Sequence, residues 1–506
     1  MNNIQNFAQI ISLLAVSCCF FFGSCIDGEM SKKGKTPIEY VDPFEPQQVP
    51  TWEALIQEMD GGAPSPMIGL PFGMTHWTLQ NILNATLCRG DFRQPLGRVL
   101  SFRPTHFSLK TCMPDYGSFG LRVISHKKGA SFPLKGFILE KELAGPNSFQ
   151  GHLPELEAKI EVAVSSRSAI FEVKFPKKDT VYLAIGPHLD SRYTKFNFYP
   201  ASGEIWIQDS LPEIFPGLNM YYLIQTKNIY TEFGTRESNL LEVGATQLVS
   251  NRIEEGFYLE FPVDTSESLQ FKIAGSYWDI PDARLNLNEE IPNWDLKKVK
   301  SSGREAWEKL FETITIEDKE QISAQEAENF YRSFFWASLI PRTFSGTDGL
   351  YPSFSGERIP ERMESGNFYG DLLMWEDGRS TQAKFLSLLK PELREDLKFS
   401  HKHGGIPSLA EDQKKKNLAE LASLEVFRYL GLKESANPGL FQLQKPVFSS
   451  WTLHKGKSKE FQFTCNCPTD QNAKIISASL NGEKLEQMEV NIDDIIQGGK
   501  LEVSCE

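Results

Sequence analysis

The stretch LQFKIAGSYWDIPDARLNLNEEIPNWDLKKVKSSGREAWEKLFETI, residues 269–314, changes its hydrophobic period partway along. Its first five residues alternate apolar and polar side chains, as a strand with one buried face does. After Pro281, apolar residues recur at helical spacing, at Leu296, Val299 and Trp307. The stretch therefore predicts that a β region gives way to an α region near Pro281.

The sequence before this boundary has the pattern of many short strands. From Tyr40 to Ile280, runs such as AKIEVAV, AIFEVKF, TVYLAIG and GFYLEFPV are rich in alternating, β-branched or aromatic residues. Clusters of Gly, Pro, Asn and Asp separate the runs, as turns do between strands. Such spacing is typical of an antiparallel sandwich. We expect an N-terminal β-sandwich domain at residues 40–280.

The sequence after the boundary predicts about five helices, followed by strands. SAQEAENFYRSFFWASLI begins with Ser323 as a helix N-cap, and KNLAELASLEVFRYLG is closed by Gly431. RSTQAKFLSLL predicts another helix, and PELREDLKFSHKH a weaker one. We therefore expect a helical domain at residues 281–435 and a C-terminal β region at residues 436–506.

Residues 1–25 have the pattern of a lipoprotein signal peptide. The apolar run IISLLAVSCCFFFG is shorter than the ~20 residues needed to span a bilayer. It is followed by Cys25 in FGSC, which resembles the lipobox whose Cys is lipidated; an ordinary cleaved signal peptide is the alternative. Residues 26–39 are predicted to be a polar tether. The sequence predicts export to the outer membrane or cell surface as a lipoprotein, or else to the periplasm.

Composition excludes some partners and leaves others open. The formal net charge of −13 argues against binding to nucleic acid or to anionic membranes. Nine Trp and fourteen Tyr could form sugar-binding faces or simply a large core. The cysteines after Cys25 are odd in number, so they are not a disulfide framework. One bridge among the C-terminal strands and buried free thiols both remain open. These cysteines are Cys88, Cys112, Cys465, Cys467 and Cys505.

Seven segments of the chain, taken in order, carry a resemblance to one known family. They are YVDPF (40–44), GLPFGMTHWTLQ (69–80), SFRPTHFSLKTCMPDYGSFG (101–120), DARLNLNEEIPNWD (282–295), PRTFSGTDGLYPSF (341–354), GNFYGDLLMWEDGRS (366–380), and NPGLFQLQKPVFSSWTLH with the strands after it (437–505). Together they resemble family 92 of the glycoside hydrolases, which are calcium-dependent, inverting exo-α-mannosidases. The resemblance implies an N-terminal β-supersandwich, a catalytic (α/α)6 toroid, a small C-terminal β region, calcium as cofactor and mannose-containing glycans as substrates.

The same resemblance implies that the toroid is only a remnant here. HGGIPSL (403–409) is similar to the segment after the first toroid helices, and LAELASLEVFRYLG (418–431) to the last toroid helix. A family member carries most of its toroid between these two segments, whereas this chain has only residues 410–417. Five helices cannot close a toroid of twelve. The apolar stripes that remain, such as Phe330 and Phe334, must be covered by something. Three outcomes stay open: the remnant collapses against the sandwich, forms a homodimer with a second copy, or is poorly stable.

Inverting hydrolysis needs a general acid and a general base about 6.5–9.5 Å apart. By resemblance, the acid and most calcium ligands belong to the missing segment. The base belongs to an acidic stretch that here reads DQKKKN, residues 412–417. The catalytic residues are therefore predicted to be absent, activity absent or very weak, and calcium, which needs several oxygen ligands, not retained.

Some sugar-contact residues are predicted to remain. The family's Trp-Asp-x-x-Arg reads WEDGR here, with Glu in place of Asp, and two segments of the β domain could line a sugar-facing loop or simply pack. The predicted function is that of an exported α-mannosidase relative with impaired catalysis; the alternatives are a non-catalytic carbohydrate-binding surface lipoprotein or a decayed remnant. The predicted substrate-binding residues are His76, Trp77, Arg103, His106, Trp375, Glu376 and Arg379.

Overall fold

The computed structural model describes the chain in segments that cover most of both predicted large domains. These segments are residues 35–45, 66–80, 98–105, 117–124, 136–188, 192–210, 218–237, 240–317, 322–352, 361–370, 381–403, 418–435, 437, 439–455, 459–468 and 473–506.

The described strands of the N-terminal region follow the predicted short runs. They are β1 (Met67–Ile68), β2 (His76–Gln80), β3 (Arg98–Val99), β4 (Ser101–Thr105), β5 (Phe119–Ile124), β6 (Phe137–Ile138), β7 (Glu140–Gly145), β8 (Ser148–Leu153), β9 (Ala158–Val164), β10 (Ser168–Lys174), β11 (Asp179–Pro187), β12 (Tyr193–Tyr199), β13 (Glu204–Ser210), β14 (Asn219–Thr226), β15 (Glu232–Glu237), β16 (Leu240–Val243), β17 (Gln247–Ser250), β18 (Gly256–Val263) and β19 (Leu269–Ser276).

Apart from β3 and β6, which pair with each other, these strands form two large antiparallel sheets that pack face to face. Among the described residues, the first sheet has the order β1-β2-β4-β5-β11-β18-β15-β16 and the second has the order β17-β12-β13-β14-β19-β10-β9-β8-β7. One apolar core joins them, and in it the ring of Trp77 on β2 meets that of Phe171 on β10 at 5.0 Å. The predicted β-sandwich is therefore present.

The described helices begin where the hydrophobic period changes. Asp279 caps the first helix, and Ser323 and Glu326 form a capping box at the start of the third. Gly431 has a φ of 77°, which a glycine adopts readily at a helix end. The helices are α1 (Ile280–Glu290), α2 (Leu296–Phe311), α3 (Ala324–Ala337), α4 (Thr381–Leu389), α5 (Pro391–His403), α6 (Leu418–Leu430) and α7 (Ile492–Gln497).

Helices α1 and α2 cover part of the outer face of the second sheet. Ile170 and Leu223 point outward from this sheet and pack against Leu287 of α1 and Leu296 of α2. The amide of Asn147 donates to the carbonyl of Lys300 at 2.9 Å, which fixes α2 to the turn between β7 and β8. The interdomain segment therefore belongs structurally to the sandwich as much as to the helical layer.

The apolar stripe of α3 is covered within the same chain. Phe330 and Phe334 are 0% exposed, and Phe330 meets Tyr429 of α6 and Phe448 at ring distances of 5.8 and 4.9 Å. Phe334 meets Phe385 of α4 at 5.3 Å. In the described helices this stripe is covered by the neighbouring helices and the C-terminal region, in a core that also includes Met67 and Phe72 of the predicted sandwich region. A second copy is not needed to bury these side chains, and the homodimer stays a prediction.

The C-terminal region adds the remaining described strands. A six-stranded sheet has the order β20-β25-β26-β30-β27-β28, a three-stranded one β23-β24-β29, and a hairpin β21-β22. The strands are β20 (Ile314–Ile316), β21 (Leu350–Tyr351), β22 (Glu361–Arg362), β23 (Leu432–Glu434), β24 (Leu440–Leu443), β25 (Ser450–Lys455), β26 (Lys459–Asn466), β27 (Ile475–Leu480), β28 (Glu483–Lys484), β29 (Glu489–Asn491) and β30 (Gly499–Cys505).

Two features of this region were not predicted as such. Strand β20 follows α2 directly and pairs with β25, so a piece of the predicted helical domain belongs to the C-terminal sheet. A disulfide joins Cys467 and Cys505, the bridge that the sequence left open, while Cys465 is a buried free thiol. At the other end of the predicted domains, Ile38 of the expected tether is 5% exposed and packs into the helical core.

None of the described helices is both long enough and apolar enough to cross a membrane.

Candidate functional site

Polar side chains line the outer face of the first sheet where β2 and β4 pair. Side chains alternate along a strand, so His76 and Thr78 lie on the face opposite to Trp77. Thr78 pairs with Arg103 in the register of β2 and β4. His76, Thr78 and Arg103 are 1%, 3% and 3% exposed. Two of the predicted contact residues therefore lie on one buried polar face.

This face contains two further basic residues that the sequence reasoning missed. Nη1 of Arg103 lies against Nε2 of His188, which follows β11 and is 2% exposed. On β5, Arg122 donates from Nε to the carbonyl oxygen of Leu100, and burial lowers the pKa of its guanidinium to about 10. The sequence could have indicated the position of Arg122, because it lies between Leu121 and Val123, two apolar residues of a strand that point into the core. Guanidinium groups donate hydrogen bonds and do not accept them, so they can orient a hydroxyl but cannot serve as a general base.

Trp77 lies in the sandwich core and not on this polar face. Its ring meets Phe119 at 6.3 Å and Phe171 at 5.0 Å, both edge to face, and it is 3% exposed. A sugar can stack only on an aromatic ring with an open face. The predicted role of Trp77 in sugar contact therefore does not fit its position, because the core already occupies the space around its ring.

The other predicted contact residues lie outside the described residues. They are His106, Trp375, Glu376 and Arg379. Cys25, the predicted lipidation site, and the lysine-rich segment 412–417 also lie outside them. The predictions for these positions stay predictions.

A buried ion pair joins the sandwich to the first loop of the helical layer. Arg167, in the turn between β9 and β10, binds Glu290 at 3.0 Å, and the two side chains are 9% and 12% exposed. The same guanidinium donates to the carbonyl oxygen of Ser345 at 2.8 Å and to Asn367 Oδ1 at 3.3 Å. Both segments that resemble the start of the family's catalytic domain therefore dock on Arg167. Here their described residues hold two domains together.

Asp282 has the pKa of a general acid but not the position of one. Burial raises its pKa from 3.8 to about 6, with Asp348 contributing to the rise. Its Oδ2 accepts from Ser276 at 2.6 Å. A Cβ placed on Gly346 would lie 2.3 Å from its Oδ1, so the carboxyl group is packed on backbone. A substrate has no room to reach it, and we assign Asp282 a structural role.

A cavity of about 210 Å³ lies where α1 ends and α2 begins. Leu70, Val164 and Ser165 line it from the sandwich. From the helices, the lining residues include Glu289, Glu290, Lys298, Val299, Ser302 and Gly303. None of its described lining residues is aromatic. Glu290 is engaged by Arg167 and by Ser165 at 2.6 Å. Among its described lining residues, the cavity therefore has no aromatic ring on which a sugar could stack, and the carboxylate of Glu290 is already engaged by protein groups.

Among the described residues, no three acidic side chains lie close enough together to share a metal ion. Within them, the only group of three or more side chains close enough to share a metal ion is Cys465, Cys467 and Cys505. Calcium prefers carboxylate and carbonyl oxygens to thiols. We therefore derive no catalytic step through calcium from the described part of the chain.

Comparison with known proteins assigns the chain to a family. The sequence model of the glycosyl hydrolase family 92 N-terminal domain matches residues 41–276. The model of the family's catalytic domain matches in two pieces, residues 282–402 and 398–506. Together the matches cover far more than half of the chain. No curated protein matches the chain in sequence.

Solved structures share the fold at low sequence identity. The family GH92 inverting mannosidase BT2199 of Bacteroides thetaiotaomicron VPI-5482 is similar with a TM-score of 0.73 and 14% identity, over 94% of this chain and 97% of that one. The GH92 glycosyl hydrolase ccman5 gives 0.74 and 11%, over 93% and 97%. The GH92 α-mannosidase BT3965 of Bacteroides thetaiotaomicron, solved in complex with mannoimidazole, gives 0.70 and 12%, over 93% and 95%. The chain belongs to glycosyl hydrolase family 92.

Proposed function

We propose that this chain is an exported family 92 protein that binds mannose-containing glycans and has lost most or all of the family's turnover. Membership of the family supports the choice of sugar, since its similar solved structures include an inverting mannosidase and an α-mannosidase with mannoimidazole bound. Export rests on the apolar leader and the FGSC segment that ends at Cys25.

One observation carries the loss of turnover. The family's catalytic-domain model matches the chain in two pieces that overlap at residues 398–402, instead of in one continuous match. Just after this junction the chain reads DQKKKN, residues 412–417, in place of an acidic stretch. Three lysines replace the acidic pattern in this segment and leave Asp412 as its one carboxylate. An acid or base lost from a site of this kind costs about 10²–10⁴-fold in rate.

The described residues offer no replacement among the acids that the junction buries. Glu290 is held by Arg167, and Asp282 is packed against Gly346. Neither carboxyl group is free to approach a glycosidic bond. Binding is less demanding than turnover, because a sugar can be held by stacking and by hydrogen bonds without a proton donor.

The described helical layer also supports a chain that folds without the missing segment. Four aromatic side chains form a closed core with the C-terminal sheet and are 0% exposed: Trp307, Phe311, Phe330 and Phe334. A decayed remnant with no function would have no need to bind sugar. Binding therefore separates that alternative from the proposal.

Calorimetry with mannose and α-linked mannobiose tests the binding part of the proposal. We expect a dissociation constant near millimolar, equivalent to about −4 kcal/mol, that does not depend on calcium. Trp375→Ala should abolish the binding if the retained WEDGR segment contacts the sugar. Ile229→Ala, at an 85% exposed apolar side chain, is the control and should bind as the unmodified chain does. No heat of binding with either sugar would refute the proposal and favour the decayed remnant.

A further inference from the structure

Helix α1 leaves one edge of the second sheet uncovered. It packs against the outer face of β14 and β19, where Leu223 and Ala274 are 0% and 1% exposed. Arg284 of α1 marks the border, because its Nη2 binds Glu204 of β13 at 2.6 Å. Beyond this border, the outer faces of β12 and the edge strand β17 reach solvent, and β13 exposes Trp206 and Gln208 in part.

Strand β12 presents a row of four outward side chains on this face. Thr194, Phe196 and Phe198 are buried, so the alternating residues point outward. The two ends of the row are tyrosines, Tyr193 at 37% and Tyr199 at 40% exposed. The two tyrosines are six residue steps apart along the strand, a span of about 20 Å. The row is therefore long enough for several sugar units of an extended chain.

The ring of Tyr199 is held in place by its neighbours. Tyr199 packs on Trp206 with ring centroids 4.0 Å apart. Trp206 donates from Nε1 to Glu204 at 2.9 Å, and the guanidinium of Arg284 lies 5.5 Å from its ring. A ring fixed in this way loses little conformational entropy when a ligand stacks on it.

Hydrogen-bonding side chains lie between and beside the aromatic rings. Lys195 and Asn197 separate the two tyrosines along β12. Across the strands, Lys195 pairs with Gln208 of β13, and Asn197 pairs with Gln247 of β17. Amide groups both donate and accept hydrogen bonds, as sugar hydroxyls do.

We propose that this surface, the β12 platform, binds an extended chain of pyranose sugars apart from the family's own sugar site. The C–H faces of the rings would stack on Tyr193 and Tyr199, and the hydroxyl rims would bond to the amides between them. The platform rests on the proposed function, since it serves a chain that binds glycans.

A sugar chain fits the platform better than a protein does. The two tyrosine rings are separated by Lys195 and Asn197, and the exposed Val249 of β17 lies opposite Lys195. Polar side chains therefore interrupt the apolar ones, unlike the continuous apolar centre of a protein interface. Polysaccharides offer the opposite pattern, because apolar ring faces and polar rims recur along the chain. On the platform, the tyrosine rings match the apolar faces of the sugars, and the amide side chains match their polar rims.

Affinity electrophoresis of the full chain in gels with yeast α-mannan tests the proposal. Tyr199→Ala and Tyr193→Ala should each weaken retardation by about tenfold, because each removes an open ring. Tyr199→Phe keeps the ring and should be retarded as the unmodified chain is. Leu143→Ala is the matched control, since Leu143 is 58% exposed on β7 at the opposite edge of the same sheet.

The outcomes separate this inference from the proposed function. If all variants are retarded equally, the platform is overturned and the proposed function stands. The same holds if the gel does not retard the unmodified chain while mannose binds in calorimetry. Retardation that depends on Tyr199 while mannose and mannobiose give no heat supports the platform and refutes the proposed sugar site. A dimer that is seen by light scattering and lost in Tyr199→Ala would make this face a contact between copies and overturn the inference.

Discussion

Replacing Arg167 by Ala should loosen the junction between the sandwich and the helical layer. The guanidinium holds Glu290 at 3.0 Å and the carbonyl oxygen of Ser345 at 2.8 Å. The side chains of the pair are only 9% and 12% exposed, so the substitution leaves a buried carboxylate without its cation. Breaking a buried pair by removing one partner costs about 3–5 kcal/mol of unfolding free energy.

Urea unfolding followed by tryptophan fluorescence measures this loss. Arg167→Lys should lose an intermediate amount, because it keeps the charge but not the planar fork that reaches several acceptors. Lys177→Ala removes an exposed pair with Glu157 and should leave the unfolding midpoint unchanged. If Arg167→Ala unfolds at the same urea concentration as Lys177→Ala, the junction does not depend on the buried pair and the reasoning is wrong.

Three further changes have defined outcomes. Phe330→Ala should lower the unfolding free energy by about 3–5 kcal/mol in thermal unfolding, because its ring is 0% exposed; a loss below about 1 kcal/mol would mean that the helical core is not closed. Burial raises the pKa of Asp282 from 3.8 to about 6, so the folded chain binds the carboxyl proton more tightly than the unfolded chain does. The contribution of Asp282 to the free energy of unfolding should therefore fall as the pH rises from about 4 to about 6. Asp282→Asn should flatten that fall, and an unchanged pH profile of stability would contradict it. Cys25→Ala should release the protein from membrane fractions; equal retention would rule out the lipid anchor.

The fold was largely predictable because local signals agreed with it. Ser323 caps α3 and Gly431 ends α6 where the sequence placed them. The change of period at Pro281 falls within the first turn of α1. Strand β20 was not predictable, because it has only three residues, too few to show an alternation of apolar and polar side chains. Only its pairing with β25 defines it as a strand. The sequence also did not predict which residues bury Phe330, because this depends on packing between segments that are distant along the chain.

The candidate site was less predictable than the fold. His76 and Arg103 do share one face, because the register of β2 and β4 aligns them. Trp77 occupies the alternate position on the same strand and therefore points into the core. His188 is 85 residues from Arg103, and no local pattern links the two. A resemblance between motifs identifies a family, but the face on which each side chain lies depends on strand pairing.

Hydrolysis of α-linked mannobiose by the purified full chain tests the central claim most directly. Released mannose would be measured with calcium present and again with a chelator. The account predicts no release above the uncatalysed background in either condition, together with retained binding of the sugar. Steady turnover that stops when the chelator is added would contradict it, because it would show that an acid, a base and a metal site remain in this chain.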